Sequence, residues 1–222
     1  MTIILIFGNQ GAGKTLYMTK LGKMESLNGK KIFSNYHVNY PHERITFENM
    51  LQCKYKDGVL LVDEGAQFGL DARGFYNKNN KELTQTFYTQ LRKKNLICII
   101  TAQKPRQLDV RIREMSNIQI FCKKQILIEN RWCDVIQSQQ FAKSIPIKII
   151  TWVIHKDIDK DKITSFTDAN KYFDEYDSSE VIQDESAKYN KKRGEQDSKE
   201  KIKNKNKKKA KGSVKSKSKE IK

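Results

Sequence analysis

The chain has 222 residues, 43 Lys and Arg against 26 Asp and Glu, and a formal net charge of +17. That length accommodates one α/β domain with a remainder, and no apolar run approaches the roughly 20 residues needed to cross a bilayer, so no transmembrane segment is expected. Met1 leads straight into an apolar run without room for a signal peptide, and Cys53, Cys98, Cys122 and Cys133 form no C-x-x-C pair; reduced thiols in a cytoplasmic protein are expected rather than a zinc site or disulfide framework.

Along the chain, apolar runs alternate with amphipathic segments, the pattern of a parallel sheet with crossover helices. Ile3-Ile4-Leu5-Ile6-Phe7 predicts a first strand, followed at once by Gly8-Asn9-Gln10-Gly11-Ala12-Gly13-Lys14-Thr15 and then by helical spacing over residues 16–21. Asn28-Gly29 marks the end of that helix. Residues 31–34 suggest a second strand and 46–52 a short helix. Gly58 precedes Val59-Leu60-Leu61-Val62-Asp63-Glu64, a buried strand closing on two carboxylates. Residues 70–80 form a polar loop with Arg73 and Gly74, and residues 82–94 have helical period. A strand over 96–100, a short helix or turn over 106–114 and a strand over 118–121 follow. Segments 125–128 and 134–137 suggest a hairpin, and 148–154 a further strand.

The spacing G-x-x-x-x-G-K-T between a strand and a helix is that of a loop whose amides and helix N-terminus converge on phosphates. Gly8, Gly11 and Gly13 permit close backbone approach; Asn9, Gln10 and Ala12 complete the loop. Lys14 is placed to reach the β- and γ-phosphates of ATP, and Thr15 to ligate Mg²⁺. Asp63 is a second Mg²⁺ candidate, and Glu64 beside it can orient and polarise an attacking water, which favours hydrolysis over transfer to another acceptor. The strand ending Thr101-Ala102-Gln103 brings Gln103 toward the edge where open α/β sheets bind ligands, although an ordinary surface Gln also fits the spacing. Arg92, in Leu91-Arg92-Lys93-Lys94-Asn95, has two readings: a solvated helix end, or an arginine supplied to a neighbouring subunit's nucleotide.

The ordered series Gly-x-x-Gly-x-Gly-Lys-Thr, Leu-Leu-Val-Asp-Glu-Gly-Ala-Gln-Phe, Arg73, Leu-Arg-Lys-Lys-Asn, Ile-Ile-Thr-Ala-Gln-Lys-Pro and Leu-Asp-Val-Arg-Ile-Arg resembles the zonula occludens toxin (Zot)-like branch of the FtsK–HerA superfamily over residues 1–125. The resemblance implies a P-loop ATPase using ATP and Mg²⁺, with Gln103 as sensor and Arg92 as arginine finger. It places Asp109, Ile112 and Arg113 in the family's Asp-x-x-Ile-Arg stretch, with Arg111 or Arg113 as alternative trans arginines. It further implies a homo-oligomeric ring, a hexamer favoured, acting on viral or plasmid DNA in packaging or particle assembly. Two departures stand out. No membrane-spanning helix follows the ATPase region, which shifts weight from extrusion toward a packaging motor, and the Gly of the finger motif is Asn95.

From Ser186 onward there are 16 basic and 4 acidic residues with few apolar ones, a composition that cannot bury a core and suits a polyanion. The expected architecture is therefore α/β: a P-loop NTPase domain over residues 1–177, its predominantly parallel sheet flanked by helices, then a disordered Lys-rich tail over 178–222. The expected function is an ATP-hydrolysing DNA translocase of a virus or mobile element, in the host cytoplasm. The alternatives are a nucleotide or small-molecule kinase and a nucleotide-dependent scaffold with a capsid or membrane assembly partner. Asp157, Asp159, Asp161 and Asp168 imitate a calcium loop, but Lys162 stands where Gly is needed, so a polar hairpin tip is expected. Tyr172, Phe173 and Tyr176 are expected on the apolar face of a last helix.

Overall fold

A computed structural model describes residues 2–52, 54–71, 91, 93–135, 145–156, 160–166, 169–176 and 191. By its contacts the chain divides into Met1–Glu185 and Ser186–Lys222, and the described sheet and helices lie in the first unit. Among the described residues nine strands form one sheet, in the order β3-β2-β4-β5-β1-β6-β8-β9, with β7 on the far half of β6. The strands are β1 (Thr2–Phe7), β2 (Lys31–Ser34), β3 (Glu43–Arg44), β4 (Gly58–Val62), β5 (Leu96–Ala102), β6 (Ile118–Ile128), β7 (Arg131–Asp134), β8 (Ile147–His155) and β9 (Lys160–Phe166). Pairing from β3 through β6 is parallel; β7, β8 and β9 add antiparallel.

The centre of the sheet is legible in its composition. Every residue of β4 is buried, as is almost all of β5, which suits strands covered on both faces and accounts for their unbroken apolar runs. Helix α1 (Lys14–Leu27) covers one face, burying Leu16, Met18 and Gly22. At Gly22 a Cβ would lie 2.6 Å from Leu61, so the helix sits directly on β4. The helix ends as Asn28-Gly29 predicts: the Gly29 amide donates to Ser26 O and the Lys30 amide to Glu25 O, a paired C-terminal cap. Two short α-helices follow among the described residues, α2 (Phe47–Leu51), capped by the Thr46 hydroxyl on the Asn49 amide, and α3 (Val110–Met115), together with a π-helical turn (Ala66–Leu70) and 3₁₀ segments.

Several expectations are corrected toward the C-terminus. The strands expected at 118–121 and 125–128 are one continuous β6, because residues 122–124 keep pairing with β8. The hairpin partner is Arg131–Asp134 rather than 134–137. Glu129 and Asn130 both have positive φ (47° and 61°), the backbone of a two-residue hairpin turn, and that turn sets the register. Asp161 lies extended in β9, paired with Ile154 of β8, rather than in a hairpin tip; Asp157, Asp159 and Asp168 lie outside the described residues. The last helix is a 3₁₀ segment, Ala169–Glu175, and Tyr172, Phe173 and Tyr176 do pack against the core. Cys98 and Cys122 are buried and Cys133 exposed, all three free. No helix of the described residues is long and apolar enough to cross a membrane.

Candidate functional site

The loop after β1 is built by steric necessity. Gly8 has φ 153°, and a Cβ there would lie 2.7 Å from the carbonyl oxygen of Cys122 on β6. Gly13 takes the left-handed conformation (φ 86°) that opens α1, with no side chain capping the helix. Gly13 as N-cap offers the first turn of α1 no side-chain acceptor, the arrangement that receives phosphate. The Gly8 amide donates to the Gln103 carbonyl at 3.4 Å, and the Ala12 amide to Asn9 O at 3.1 Å. Asn9, Gln10 and Gly11 are exposed on the loop's outer turn. Lys14 is buried, its Nζ folded back 3.2 Å from the Asn9 carbonyl.

Strand β4 delivers the acids. It ends at Val62, so Asp63 and Glu64 occupy the turn beyond it rather than the strand itself. The Thr15 hydroxyl lies 3.1 and 3.0 Å from the two oxygens of Asp63. A hydroxyl and a carboxylate converging in this way are hard oxygen donors of the kind Mg²⁺ takes, so the residues present fit that ion. Burial raises the Asp63 carboxyl above the ordinary range, opposed by hydrogen bonds from Thr101 and Thr15 and by the charge of Lys14. Half-buried Glu64 is also raised, first by burial and then by Asp63, with Lys14 opposing.

The structure brings Gly8 to Thr15, Asp63 and Glu64 together at one edge of the sheet. Gln103 joins them through its backbone carbonyl, which accepts the Gly8 amide; its backbone N–H donates to Gln107 Oε1 at 3.0 Å, and the residue is exposed. Arg92 and Arg73 lie outside the described residues. Of the alternatives, Arg111 forks onto Asp109 (2.9 and 2.7 Å), the residue that caps α3. Arg113 donates Nε to Leu108 O at 3.3 Å. Asn95 has φ 51°, so it keeps the left-handed turn that a Gly would supply.

Sequence reasoning missed the support behind the acids. Asn35, just past β2, donates Nδ2 to the Asp63 carbonyl and accepts the Asp63 amide, both at 2.8 Å. Thr101 on β5 donates to Asp63 Oδ1. Deeper in, the Thr19 hydroxyl donates to Thr15 O and lies 2.9 Å from the Tyr36 hydroxyl. Tyr36 meets Tyr176 edge-on, and burial together with the Asp63 charge pushes Tyr176 up to about 12.

Compared with known proteins, residues 18–161 match the family described as zonular occludens toxin (Zot), a match that begins after the loop and covers more than half of the chain. No curated protein sequence gives a significant match. The fold is similar to the N-terminal domain of zonular occludens toxin from Neisseria meningitidis (22% identity, TM-score 0.49, covering 79% of this chain and 98% of that one). It is also similar to the genome packaging NTPase B204 of Sulfolobus turreted icosahedral virus 2 bound to ATP-gammaS (14% identity, TM-score 0.48, covering 73% and 95%).

Proposed function

The chain belongs to the zonular occludens toxin (Zot) family, and on that footing we propose that it is an ATP-hydrolysing motor moving DNA in the packaging or assembly of a virus or mobile element. One observation carries the hydrolytic part: the uncapped start of α1, the Thr15–Asp63 pair and the raised Glu64 all lie at one sheet edge. The amides of residues 8–15 cradle the phosphates. Lys14 leaves the Asn9 carbonyl to lie along the β- and γ-phosphates, neutralising charge that grows there during cleavage. Thr15 and Asp63 would hold Mg²⁺, which when bound would neutralise charge on the phosphates. Glu64 orients a water and takes its proton; a carboxylate raised toward neutrality is a better base than an ordinary one. Gln103 then senses the γ-phosphate, and Arg92 reaches a neighbour's site in a homo-oligomeric ring.

The DNA part is supported by the family resemblance and by the charge of the last segment, 16 basic against 4 acidic residues. Turnover of ATP with and without duplex and single-stranded DNA tests it. A DNA-stimulated rate, abolished by Lys14→Ala, is expected. An unstimulated rate would leave an ATPase without a nucleic-acid substrate. The trans arginine adds a second readout: turnover per subunit rises with protein concentration, and a concentration-independent rate for the monomer removes Arg92 from the mechanism.

A further inference from the structure

Between the two acids sits one hydroxyl. Thr101 is fully buried on β5, the strand that lies between β1 and β4. Its Oγ1 donates to Asp63 Oδ1 and accepts the Glu64 amide at 3.0 Å, while its carbonyl accepts the Gly65 amide at 2.9 Å. Asn35 grips the Asp63 backbone from the β2 side with two hydrogen bonds. We propose that Thr101 is a positioning residue for hydrolysis, acting through Asp63 and Glu64 with Asn35 as the opposing jaw; this rests on the ATPase reading above.

The physical need is plain in the backbone. Beyond Val62 the ladder stops, and Glu64 adopts φ 47°, a left-handed conformation unfavourable for a non-glycine residue. Something must hold it there. A hydroxyl can donate and accept at once, so Thr101 fixes the carboxylate of one acid relative to the backbone of the next. Two residues on, the Gln103 carbonyl receives the Gly8 amide, so the same strand end is also tied to the phosphate loop. Valine would fill this buried site equally well by shape. A packing role alone therefore does not require the hydroxyl.

The experiment uses the full chain with Thr101→Val, which keeps the branching and removes the hydroxyl, and Thr101→Ser, which retains it. Thr101→Val is expected to lower kcat for ATP by about 10- to 100-fold, the scale of a misplaced reacting group. Affinity for a fluorescent ATP analogue should stay within about threefold, since the loop that grips the phosphates is untouched. Thr101→Ser should recover most of the rate. A wild-type kcat in Thr101→Val overturns the proposal, and so does a serine variant as slow as the valine one. A crystal structure of nucleotide-free Thr101→Val separates this from failure of the ATPase reading. Should the wild-type chain hydrolyse no ATP, that reading fails by itself. The clamp is then judged on Glu64: departure from the left-handed conformation supports it, and retention overturns it. If Thr101→Val does not fold, Thr101→Ala takes its place with the same outcomes.

Discussion

Asp63 and Glu64 are adjacent carboxylates with the same direction of shift, and the cause that ranks first for both is burial. Their folded values therefore exceed their unfolded ones. Such a group contributes its full stability below the unfolded value of about 4 and loses it as pH rises through the folded one. In metal-free, nucleotide-free protein the melting temperature should fall as pH climbs through that window, and Asp63→Asn should flatten the decline. A pH profile unchanged by Asp63→Asn would show that the buried charge is not what limits stability. Under turnover conditions the same two residues divide their labour. Glu64→Gln should bind nucleotide within about threefold of wild type yet hydrolyse it about 10²-fold more slowly or worse, because only the base is lost. Single-turnover kinetics with parallel binding measurements check this, and a rate equal to wild type would remove Glu64 from catalysis.

Among the elements, the loop between β1 and α1 has little freedom at its first residue. Gly8→Ala sets a Cβ against the backbone oxygen of Cys122, which cannot swing aside, whereas at Gly13 the nearest atom is the flexible end of Ile149. Gly8→Ala should therefore cost about 1–3 kcal/mol of stability, measured by denaturant unfolding, and at least tenfold in nucleotide affinity. The turn before β5 makes the opposite prediction. Asn95→Gly should be neutral, while Asn95→Ala should cost roughly 1 kcal/mol, because φ 51° suits the first and not the second. This loop, α1 and the acids beyond β4 are legible in the sequence because each is a local pattern with fixed spacing. Asn35 and Thr101 are not, since their roles exist only once the sheet order sets β2 and β5 on either side of β4. Similarly β9 is polar and faces solvent for most of its length, and only its pairing with β8 makes it a strand. The hairpin turn is hidden for a different reason: few Glu residues turn left-handed, so the partner strand expected from residue 134 starts three residues earlier, at Arg131.

For the whole molecule, residues 169–176 pack back against α1. Tyr176 bridges to Val38, the Asn39 amide donates to Glu175 O at 2.8 Å, and Lys23 pairs with Glu175. Truncation after Glu185 should leave melting temperature nearly unchanged, whereas truncation before Ala169 should lower it by several degrees by exposing the core beside α1. The first truncation should also weaken DNA binding and flatten its dependence on salt; an unchanged salt slope would show that the basic segment does not contact DNA. The sheet order has a temporal consequence as well. β1 emerges first in synthesis, yet its partners are β5 and β6, from Leu96 and Ile118 onward. At roughly 5–20 residues per second, the nascent chain carries an unpaired apolar strand for on the order of 5–20 s before β5 is made. Until then Ile3 to Phe7 is a segment that chaperones can hold and that other nascent copies can capture. Yield of active protein should thus depend on expression rate and chaperone supply more than the equilibrium stability of the finished fold suggests.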